Sequence, residues 1–259
     1  MRLDKFLAEA GIGTRKSVRD FIKEGLVNVN GQTVYEAATL IEEEKDIIEY
    51  CNKKIDKKEK VYYMFNKPAG CISARKDEEH KTVLDFFQEE DMNGIFHVGR
   101  LDKDTEGILL FTNDGEFEHH LMCPQSHVEK KYFFIALGDL KTEDIFKLRN
   151  GLSIGENEPL TKPAKVEIIK RGLYEEFLNE MDISSYYEKK SSMYSQHVTS
   201  GYLVISEGRK HQVKRMLKSV GCYVIYLKRI SIGKVHLDPK LKKGQYRKLS
   251  IEEVKILKT

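Results

Sequence analysis

The chain has 259 residues, which is enough for one or two domains with a sizeable core. Hydrophobic residues make up 40% of it and charged residues 33%, and its start carries no long apolar run. We therefore expect a cytoplasmic protein with no signal peptide and no membrane helix. Its four cysteines form no Cys-x-x-Cys pair, which argues against a zinc site or a disulfide framework and predicts reduced thiols.

The net charge of +3 does not by itself indicate a polyanionic partner, but the charge is unevenly distributed. Between residues 201 and 234, eight lysines and arginines stand against Glu207 alone, a local charge of +7. Residues 42–44 are all glutamate. The concentrated positive charge predicts that the region of residues 201–234 meets a polyanion.

The first fifty residues predict a small module of two helices and a hairpin. Apolar residues at helical spacing from Leu3 to Ala10 predict a first helix that ends at Gly11, and Thr14 is a suitable N-cap for the second. An Asn30-Gly31 turn predicts a hairpin over residues 27–34. One face of the second helix is basic, which fits either solvent or nucleic acid: Arg15, Lys16, Arg19 and Lys23.

A polar, charge-rich run over residues 52–60 lacks an apolar period and predicts a linker between two domains. A strand over 61–65 then opens the second domain, and the turn that contains Lys67 and Pro68 follows it. Thr82 is expected to begin a helix that runs to Phe87.

The stretch from Gly99 to Gly115 places an acidic turn directly before an apolar run. Residues 108–111 predict a strand buried on both faces, and Asp114 is placed to cap a helix over residues 117–122. The carboxylates of the turn could be solvated or capping groups, calcium ligands, or a reactive carboxylate: Asp102, Asp104 and Glu106.

Calcium fits this turn poorly. The spacing matches the first, third, fifth and sixth positions of an EF-hand loop, but the twelfth position is Asn113 where a bidentate glutamate is needed. Flanking helices are also absent from the pattern, and no histidine or cysteine cluster has ligand spacing. We therefore expect no metal.

Further strands are predicted over 129–136, 165–169 and 202–205, and between residues 224 and 232, with a closing helix over 251–257. Residues 172–200 lack a clean period and predict a surface insertion. A helix after Gly208 carries Lys214 and Arg215 at the border of its apolar stripe, where they are either basic surface or partners for a carboxylate. Tyr132, near the start of the strand predicted over 129–136, could be an ordinary core residue.

Several of these segments together resemble the ribosomal RNA pseudouridine synthases of the RsuA family. The N-terminal module, from Arg2 to Gly31, resembles the RNA-binding module named after ribosomal small-subunit protein four. The resemblance continues through specific motifs in the right order: Lys67-Pro68-x-Gly70, Gly99-Arg100-Leu101-Asp102-x-Asp104-Thr105-x-Gly107, Glu129-Lys130-x-Tyr132, Gly208-Arg209-x-His211-Gln212-Val213-Lys214-Arg215 and Gly244-x-Tyr246-Arg247-x-Leu249.

The resemblance implies an α+β fold. Residues 1–50 would form a small α/β RNA-binding domain, 51–60 a linker, and 61–259 a catalytic domain whose mixed, mainly antiparallel β-sheet is flanked by helices. The insertion over 172–200 is longer than the family pattern needs. The protein is expected to act as a monomer.

The resemblance also implies a chemistry that needs no cofactor. Asp102 would be the reacting carboxylate, Lys214 its cationic partner with Arg215 as the alternative, and Tyr132 the residue that contacts an extruded uracil. Asp104 and Glu106 would only shape or cap the turn. The candidate RNA contacts are basic side chains from both domains: Arg2, Arg15, Lys16, Arg19, Lys23, Arg100, Arg209 and Arg215.

The implied partner is ribosomal RNA. Residues 82–84, 211–215 and 237–249 look closer to the branch that modifies uridine 516 of 16S small-subunit RNA. Modification of 23S large-subunit RNA is the first alternative. A non-catalytic RNA-binding assembly factor is the second, although the intact Asp102 argues against it.

Overall fold

The computed structural model describes residues 1–56, 59–87, 94–177 and 196–259, and its architecture is α+β as expected. The N-terminal region contains two helices, α1 (Leu3–Glu9) and α2 (Arg15–Lys23). Its antiparallel sheet has the order β2-β1-β3-β4, with strands β1 (Val27–Val29), β2 (Gln32–Thr33), β3 (Ile48–Tyr50) and β4 (Lys53–Lys54).

The local signals that predicted this module operate as expected. Thr14 caps α2, because its hydroxyl oxygen accepts a hydrogen bond from the Ser17 amide at 3.2 Å. Asn30 and Gly31 have φ angles of 52° and 78°, the left-handed values that a tight hairpin turn between β1 and β2 requires. The apolar faces of the helices and the sheet enclose one small core: Leu3, Phe6, Leu7, Val18, Ile22, Val27, Ile41 and Ile48.

A larger mixed sheet organises the rest of the chain. Its main path runs β13-β5-β7-β11-β8-β10-β9, with β6 against β7 and β12 against β11. Every neighbouring pair described is antiparallel except β7 and β11, which are parallel. The strands are β5 (Tyr62–Lys67), β6 (Phe96–Val98), β7 (Glu106–Thr112), β8 (Lys130–Leu137), β9 (Lys165–Leu173), β10 (His197–Ile205), β11 (Tyr223–Ile232), β12 (Val235–His236) and β13 (Tyr246–Lys248).

Strand β7 lies at the centre of the domain and is buried along its whole length, as its apolar run predicts. Its successive side chains point to opposite faces, so Leu109 and Phe111 join the larger core while Ile108 and Leu110 join a second one. The loop that precedes β7 is thereby anchored to a strand that is buried along its whole length.

Among residues 61–87, 94–177 and 196–259, five helices cover this sheet: α3 (Gly115–Met122), α4 (Thr142–Asn150), α5 (Tyr174–Phe177), α6 (Gln212–Ser219) and α7 (Ile251–Lys258). Asp114 caps α3 as predicted, since its carboxylate accepts hydrogen bonds from the Glu116 and Phe117 amides. Helix α4 was not predicted, because its buried stripe is short.

The helix expected from Thr82 to Phe87 is only a 3-10 turn, Val83–Phe86. Phe87 leaves the turn in an extended conformation and stacks on Tyr246, with ring centroids 4.2 Å apart. This long-range aromatic contact overrides the local helical signal.

Strands β9 and β10 are longer than predicted, and the segment from 223 to 232 is one strand and not several. The predicted insertion over 172–200 falls mostly on residues 178–195, which lie outside the described part of the chain. Its described ends belong to β9, α5 and β10.

The two regions meet through polar contacts at the start of α3. Lys5 pairs with Glu116 at 2.5 Å, and Lys60 pairs with Asp114 at 3.1 Å. Burial would raise the pKa of Asp114, but the hydrogen bond from the Tyr62 hydroxyl and the pairing with Lys60 lower it to about 2.

None of the helices in the described residues has the length and the hydrophobicity that a membrane-spanning helix needs.

Candidate active site

Asp102 lies in the loop that enters β7, and a buried lysine holds this loop. Lys67, at the end of β5, is completely inaccessible to solvent. Its ammonium group donates to the carbonyl oxygens of Pro68, Asp102, Lys103 and Thr105 at 3.1, 3.0, 3.3 and 2.9 Å. Burial lowers the pKa of Lys67, and neighbouring thiol and carboxylate groups oppose this shift. The buried Lys67 ammonium therefore holds the Asp102 backbone in place from the interior of the protein.

The side of the loop is fixed as well. The Ser73 hydroxyl accepts from the Leu101 amide at 3.0 Å and donates to the Leu101 carbonyl at 2.8 Å. The Gly70 amide donates to the Lys103 carbonyl at 2.8 Å. These bonds leave the Asp102 side chain about a quarter exposed at the cavity wall.

Helix α6 carries the cation that faces Asp102. The Lys214 ammonium lies 3.3 Å from one Asp102 carboxylate oxygen and also contacts the Asp104 carboxylate. The His211 Nε2 atom lies 3.6 Å from the other Asp102 oxygen. His211 adopts a left-handed φ of 53° immediately before α6, which turns the chain into the helix and places its ring at the cavity. Lys214 thus bridges two carboxylates.

Tyr132 reaches the same cavity from the sheet. It lies on β8 opposite Arg229 of β11, and only 9% of it is exposed. An Arg229 Nη1 group donates to the Tyr132 hydroxyl oxygen at 3.5 Å, and the Arg229 Nε group donates to the Ile108 carbonyl at 2.9 Å. Gly107 makes this arrangement possible, because a Cβ atom there would lie 2.1 Å from the Arg229 carbonyl oxygen.

These groups line one cavity of about 440 Å³, a size that suits an organic ligand. The cavity brings together Asp102, Tyr132 and Lys214, which come from three distant parts of the sequence. Arg100 is exposed at its rim. The other predicted RNA contacts lie elsewhere or have partners within the protein.

Arg209 lines the cavity, and both Arg209 and Arg215 are bound to the loop between α4 and β9. Arg209 donates to the carbonyls of Pro159 and Leu160 at 2.6 and 2.8 Å. Arg215 donates to the Ile154 carbonyl at 3.0 Å and contacts the Glu158 carboxylate. Arg215 therefore pairs with Glu158, and Lys214 is the cation that pairs with Asp102.

The N-terminal candidates divide into two groups. The Nε atoms of Arg2 and Arg19 lie 3.0 and 2.9 Å from the Asp4 carboxylate, which is buried. Burial opposes ionisation of Asp4, but its hydrogen bonds from these two arginines lower its pKa. The remaining cations are exposed on α2: Arg15, Lys16 and Lys23.

Two carboxylates of the acidic turn have contacts that the sequence did not indicate. Asp104 does more than shape the turn, because it shares Lys214 with Asp102. Glu106 is fully buried in β7, where it accepts a hydrogen bond from the Tyr226 hydroxyl at 3.0 Å and pairs with Lys243 at 2.9 Å. Within the described ranges, no three His, Cys, Asp or Glu side chains are grouped to hold a metal ion.

Four residues of the site were missing from the sequence prediction: Lys67, Asp104, His211 and Arg229. The first three belong to motifs that the sequence singled out, although their contacts could not be foreseen. Arg229 had appeared only as one of the eight basic residues of the region 201–234. Its position on a buried strand was the available signal, since a charged side chain in such a strand needs a specific reason.

Known proteins are similar to this chain over nearly its whole length. A family model described as RNA pseudouridylate synthase matches residues 61–219, and an S4 domain model matches residues 1–48. A crystal structure of a pseudouridylate synthase is similar with a TM-score of 0.65 and 32% identity, covering 99% of both chains.

Full-length relatives carry related names. The chain is 40% identical to YtzG, an uncharacterized RNA pseudouridine synthase of Bacillus subtilis (strain 168), over 99% of this chain and 98% of that protein. It is 34% identical to ribosomal small subunit pseudouridine synthase A of Haemophilus influenzae, over 99% of each. It is also 37% identical to ribosomal large subunit pseudouridine synthase B of Bacillus subtilis, over 99% of this chain and 95% of that protein. The chain therefore belongs to the RNA pseudouridylate synthase family and is an RsuA-type enzyme, an isomerase with an S4 domain ahead of its catalytic domain.

Proposed function

We propose that the protein converts uridine 516 of 16S ribosomal RNA to pseudouridine, with Asp102 as the reacting carboxylate. The observation that carries the proposal is the meeting of Asp102, Lys214 and Tyr132 in one cavity. The names of relatives that act on small-subunit RNA support the substrate class.

The reaction needs only groups that the cavity contains. The bond between N1 of the base and C1′ of the ribose breaks, the base turns, and C5 bonds to C1′, so the reaction has no net redox change and consumes no water. Asp102 attacks C1′ as a nucleophile while N1 leaves, and C5 then displaces the Asp102 carboxylate from C1′. Lys214 holds the carboxylate in position by charge. Tyr132 contacts the extruded uracil, since a base inside a helix is out of reach. No cofactor takes part in this scheme.

The role of Asp102 is tested by Asp102→Asn, which keeps the size of the side chain and removes its negative charge. We expect RNA binding to persist and pseudouridine formation to be abolished. A matched control is Asp139→Asn, because Asp139 is half-exposed and pairs only loosely with Arg171 at 3.5 Å, outside the cavity. Normal turnover by the Asp102 variant would refute the assignment.

The target is tested by incubating the wild-type protein with unmodified 16S and 23S RNA and mapping pseudouridines by carbodiimide primer extension. We expect one new stop, at uridine 516 of 16S RNA. A relative named for the large subunit, 37% identical to this chain, makes 23S RNA the second candidate. A product on 23S RNA alone would replace the small-subunit proposal. No product on either RNA, from a protein that binds them, would favour an assembly factor.

The exposed cations of α2 are proposed to bind RNA phosphates. Arg15, Lys16 and Lys23 are solvent-exposed, whereas Arg2 and Arg19 also hold Asp4 in place. Neutralising Lys16 and Lys23 together with glutamine should weaken RNA binding and make its salt dependence shallower by about two phosphate contacts. The matched control is the exposed Lys45, which pairs with Glu42 in the same domain. An unchanged salt dependence of RNA binding in the double variant would show that this face of α2 does not bind RNA phosphates.

Arg100, Arg209 and Arg215 are proposed as contacts close to the target nucleotide, Arg100 directly and the other two by holding the loop between α4 and β9. We also propose domain limits of 1–50 and 61–259 with a linker between them, action as a monomer, and a cytoplasmic location. The start of β5 at Tyr62 supports the limit of the second domain. The first-domain sheet extends past residue 50, because β4 (Lys53–Lys54) pairs with β3 inside the predicted linker.

A further inference from the structure

Arg229 is a buried cation whose hydrogen-bonding capacity is only partly used. It is 3% exposed and lines the cavity that contains Asp102. Its Nε group is bound to the Ile108 carbonyl, and its Nη1 group makes a long bond to the Tyr132 hydroxyl. Its Nη2 group, though buried, finds no hydrogen-bond partner among the residues that the structure describes.

An unpaired guanidinium N–H inside a protein destabilises the fold, because it has lost its hydrogen bonds to water and has formed none within the protein. In the described part of the chain, no carboxylate lies within ion-pair distance of Arg229. Gly107 brings the β11 backbone so close to β7 that the arginine is held firmly beside Tyr132. A free donor in a rigid, cavity-lining position is the arrangement expected of a ligand contact.

A second buried cation reinforces the positive floor of the cavity. Lys130 is 5% exposed, lies two residues before Tyr132 on β8, and also lines the cavity. Its ammonium donates to the Leu121 carbonyl at 2.8 Å. Burial lowers the pKa of Lys130 to about 8, with a further contribution from Arg229. The floor therefore suits a flat ligand that carries, or develops, negative charge.

We propose that Arg229 is a catalytic residue whose Nη2 group donates a hydrogen bond to a carbonyl oxygen of the extruded uracil. This inference rests on the proposed function of the Asp102 cavity. When the N1–C1′ bond breaks, its electron pair moves into the uracil ring and is shared between N1 and the carbonyl oxygens. Arg229 stabilises that charge without exchanging a proton. The charge is removed when C5 bonds to C1′, the C5 proton leaves, and N1 takes up a proton.

The alternative is that Arg229 only anchors β7 through the Ile108 carbonyl. That role would affect folding. The proposed role affects the rate of the bond-breaking step and makes this rate depend on the carbonyl oxygens of the base. A donor aimed at developing charge is worth about 10²–10³ in rate in a water-excluded site. The two roles therefore predict different measurements.

The test uses the full-length protein and RNA fragments that contain the mapped target uridine, labelled with tritium at C5. Tritium is released when the C5 proton is lost, so single-turnover release reports the chemical step, and a separate binding measurement gives Kd. Arg229→Lys, which keeps the charge, and Arg229→Met, which removes it, should both lower the rate about 10²–10³-fold while Kd changes less than about threefold. Ile232→Val, a small change at a buried residue of the same strand, is the control for altered packing.

Replacement of a uracil carbonyl oxygen by sulfur gives a second measurement, which a change in protein packing would not affect. The same RNA is prepared with 2-thiouridine or 4-thiouridine at the target, because sulfur is a weaker acceptor than oxygen. We expect the wild type to be slowed at one of the two positions, which identifies the carbonyl that Arg229 contacts, and we expect this difference to disappear in the Arg229 variants.

Equal rates for uridine and both thiouridines in the wild type would overturn the proposal, and this measurement does not depend on any variant folding. Full-rate Arg229 variants, or variants as sensitive to sulfur as the wild type, would overturn it too. These failures are separable from failure of the proposed function. Loss of activity in Asp102→Asn together with full activity in the Arg229 variants would refute only the role of Arg229.

Discussion

Lys67 offers the sharpest link between the fold and the active site. Lys67→Met keeps the length and the apolar stem of the side chain and removes the ammonium that holds the Asp102 loop. The variant leaves four carbonyl oxygens without this donor. Two of them retain backbone donors, since the Gly70 amide donates to the Lys103 carbonyl and the Thr105 amide donates to the Asp102 carbonyl. The Pro68 carbonyl retains only a weak donor, the Cys71 thiol at 3.5 Å.

The magnitude follows from this count. A buried carbonyl that loses its partner costs about 1–3 kcal/mol, and the methionine recovers part of that loss because no ammonium needs to be desolvated. The Thr105 carbonyl loses its donor and the Pro68 carbonyl keeps only the weak thiol, so we expect the free energy of unfolding to fall by about 2–4 kcal/mol. In a domain of this size that corresponds to a decrease in Tm of roughly 10 °C.

Activity should fall further than stability alone would explain. Release of the Asp102 backbone by about 1 Å would lower the single-turnover rate by about 10²-fold even at temperatures where the variant is folded. Urea unfolding and single-turnover tritium release measure the two effects. Lys147→Met is the control, because Lys147 is 59% exposed in a surface pair with Asp144 and should cost less than about 1 kcal/mol. A Lys67 variant with wild-type stability and rate would refute the reasoning.

Three further predictions concern stability. Asp114→Asn should cost about 2 kcal/mol at pH 7, because the Tyr62 hydroxyl and other partners hold the pKa of Asp114 at about 2. Because folding lowers the pKa of Asp114, its charge stabilises the protein fully above the unfolded pKa near 4, and most of this difference should be lost in urea titrations as the pH falls to 2. Gly107→Ala should cost about 3 kcal/mol or more in the same assay, because its Cβ would meet the Arg229 carbonyl at a φ of +103°. The stability of Lys130→Met relative to the wild type should fall between pH 7 and pH 9.5. The wild type alone gains, by up to about 2 kcal/mol, as the pH rises past the pKa of about 8.

The controls for these changes come from the same elements. Gly115→Ala places a Cβ in open space at the start of α3 and should be neutral or mildly stabilising. A cost equal to that of Gly107→Ala would show that crowding at β11 is not the cause. A constant difference between Lys130→Met and the wild type from pH 7 to 9.5 would contradict the assignment to Lys130. An Asp114→Asn cost that persists at pH 2 would contradict the role of its charge.

Much of the fold was predictable because its signals are local. Thr14 and Asp114 cap helices where their positions indicated, and the Asn30-Gly31 turn forms the expected hairpin. The apolar run from residue 108 to 111 is buried on both faces. Errors occurred where a distant contact overrides the local signal, as when Phe87 leaves its turn to stack on Tyr246.

The sequence by itself determined the α+β organisation, the family motifs and the residue types available for catalysis, because these depend on short-range periodicity and spacing. Only the tertiary structure decided which charges meet. The parallel pairing of β7 with β11 and the placement of α6 bring Lys214 to both Asp102 and Asp104, Arg215 to Glu158, and Arg229 to Tyr132. These partners lie from 57 to 112 residues apart in the chain, so strand order and close backbone approach at Gly107 select them.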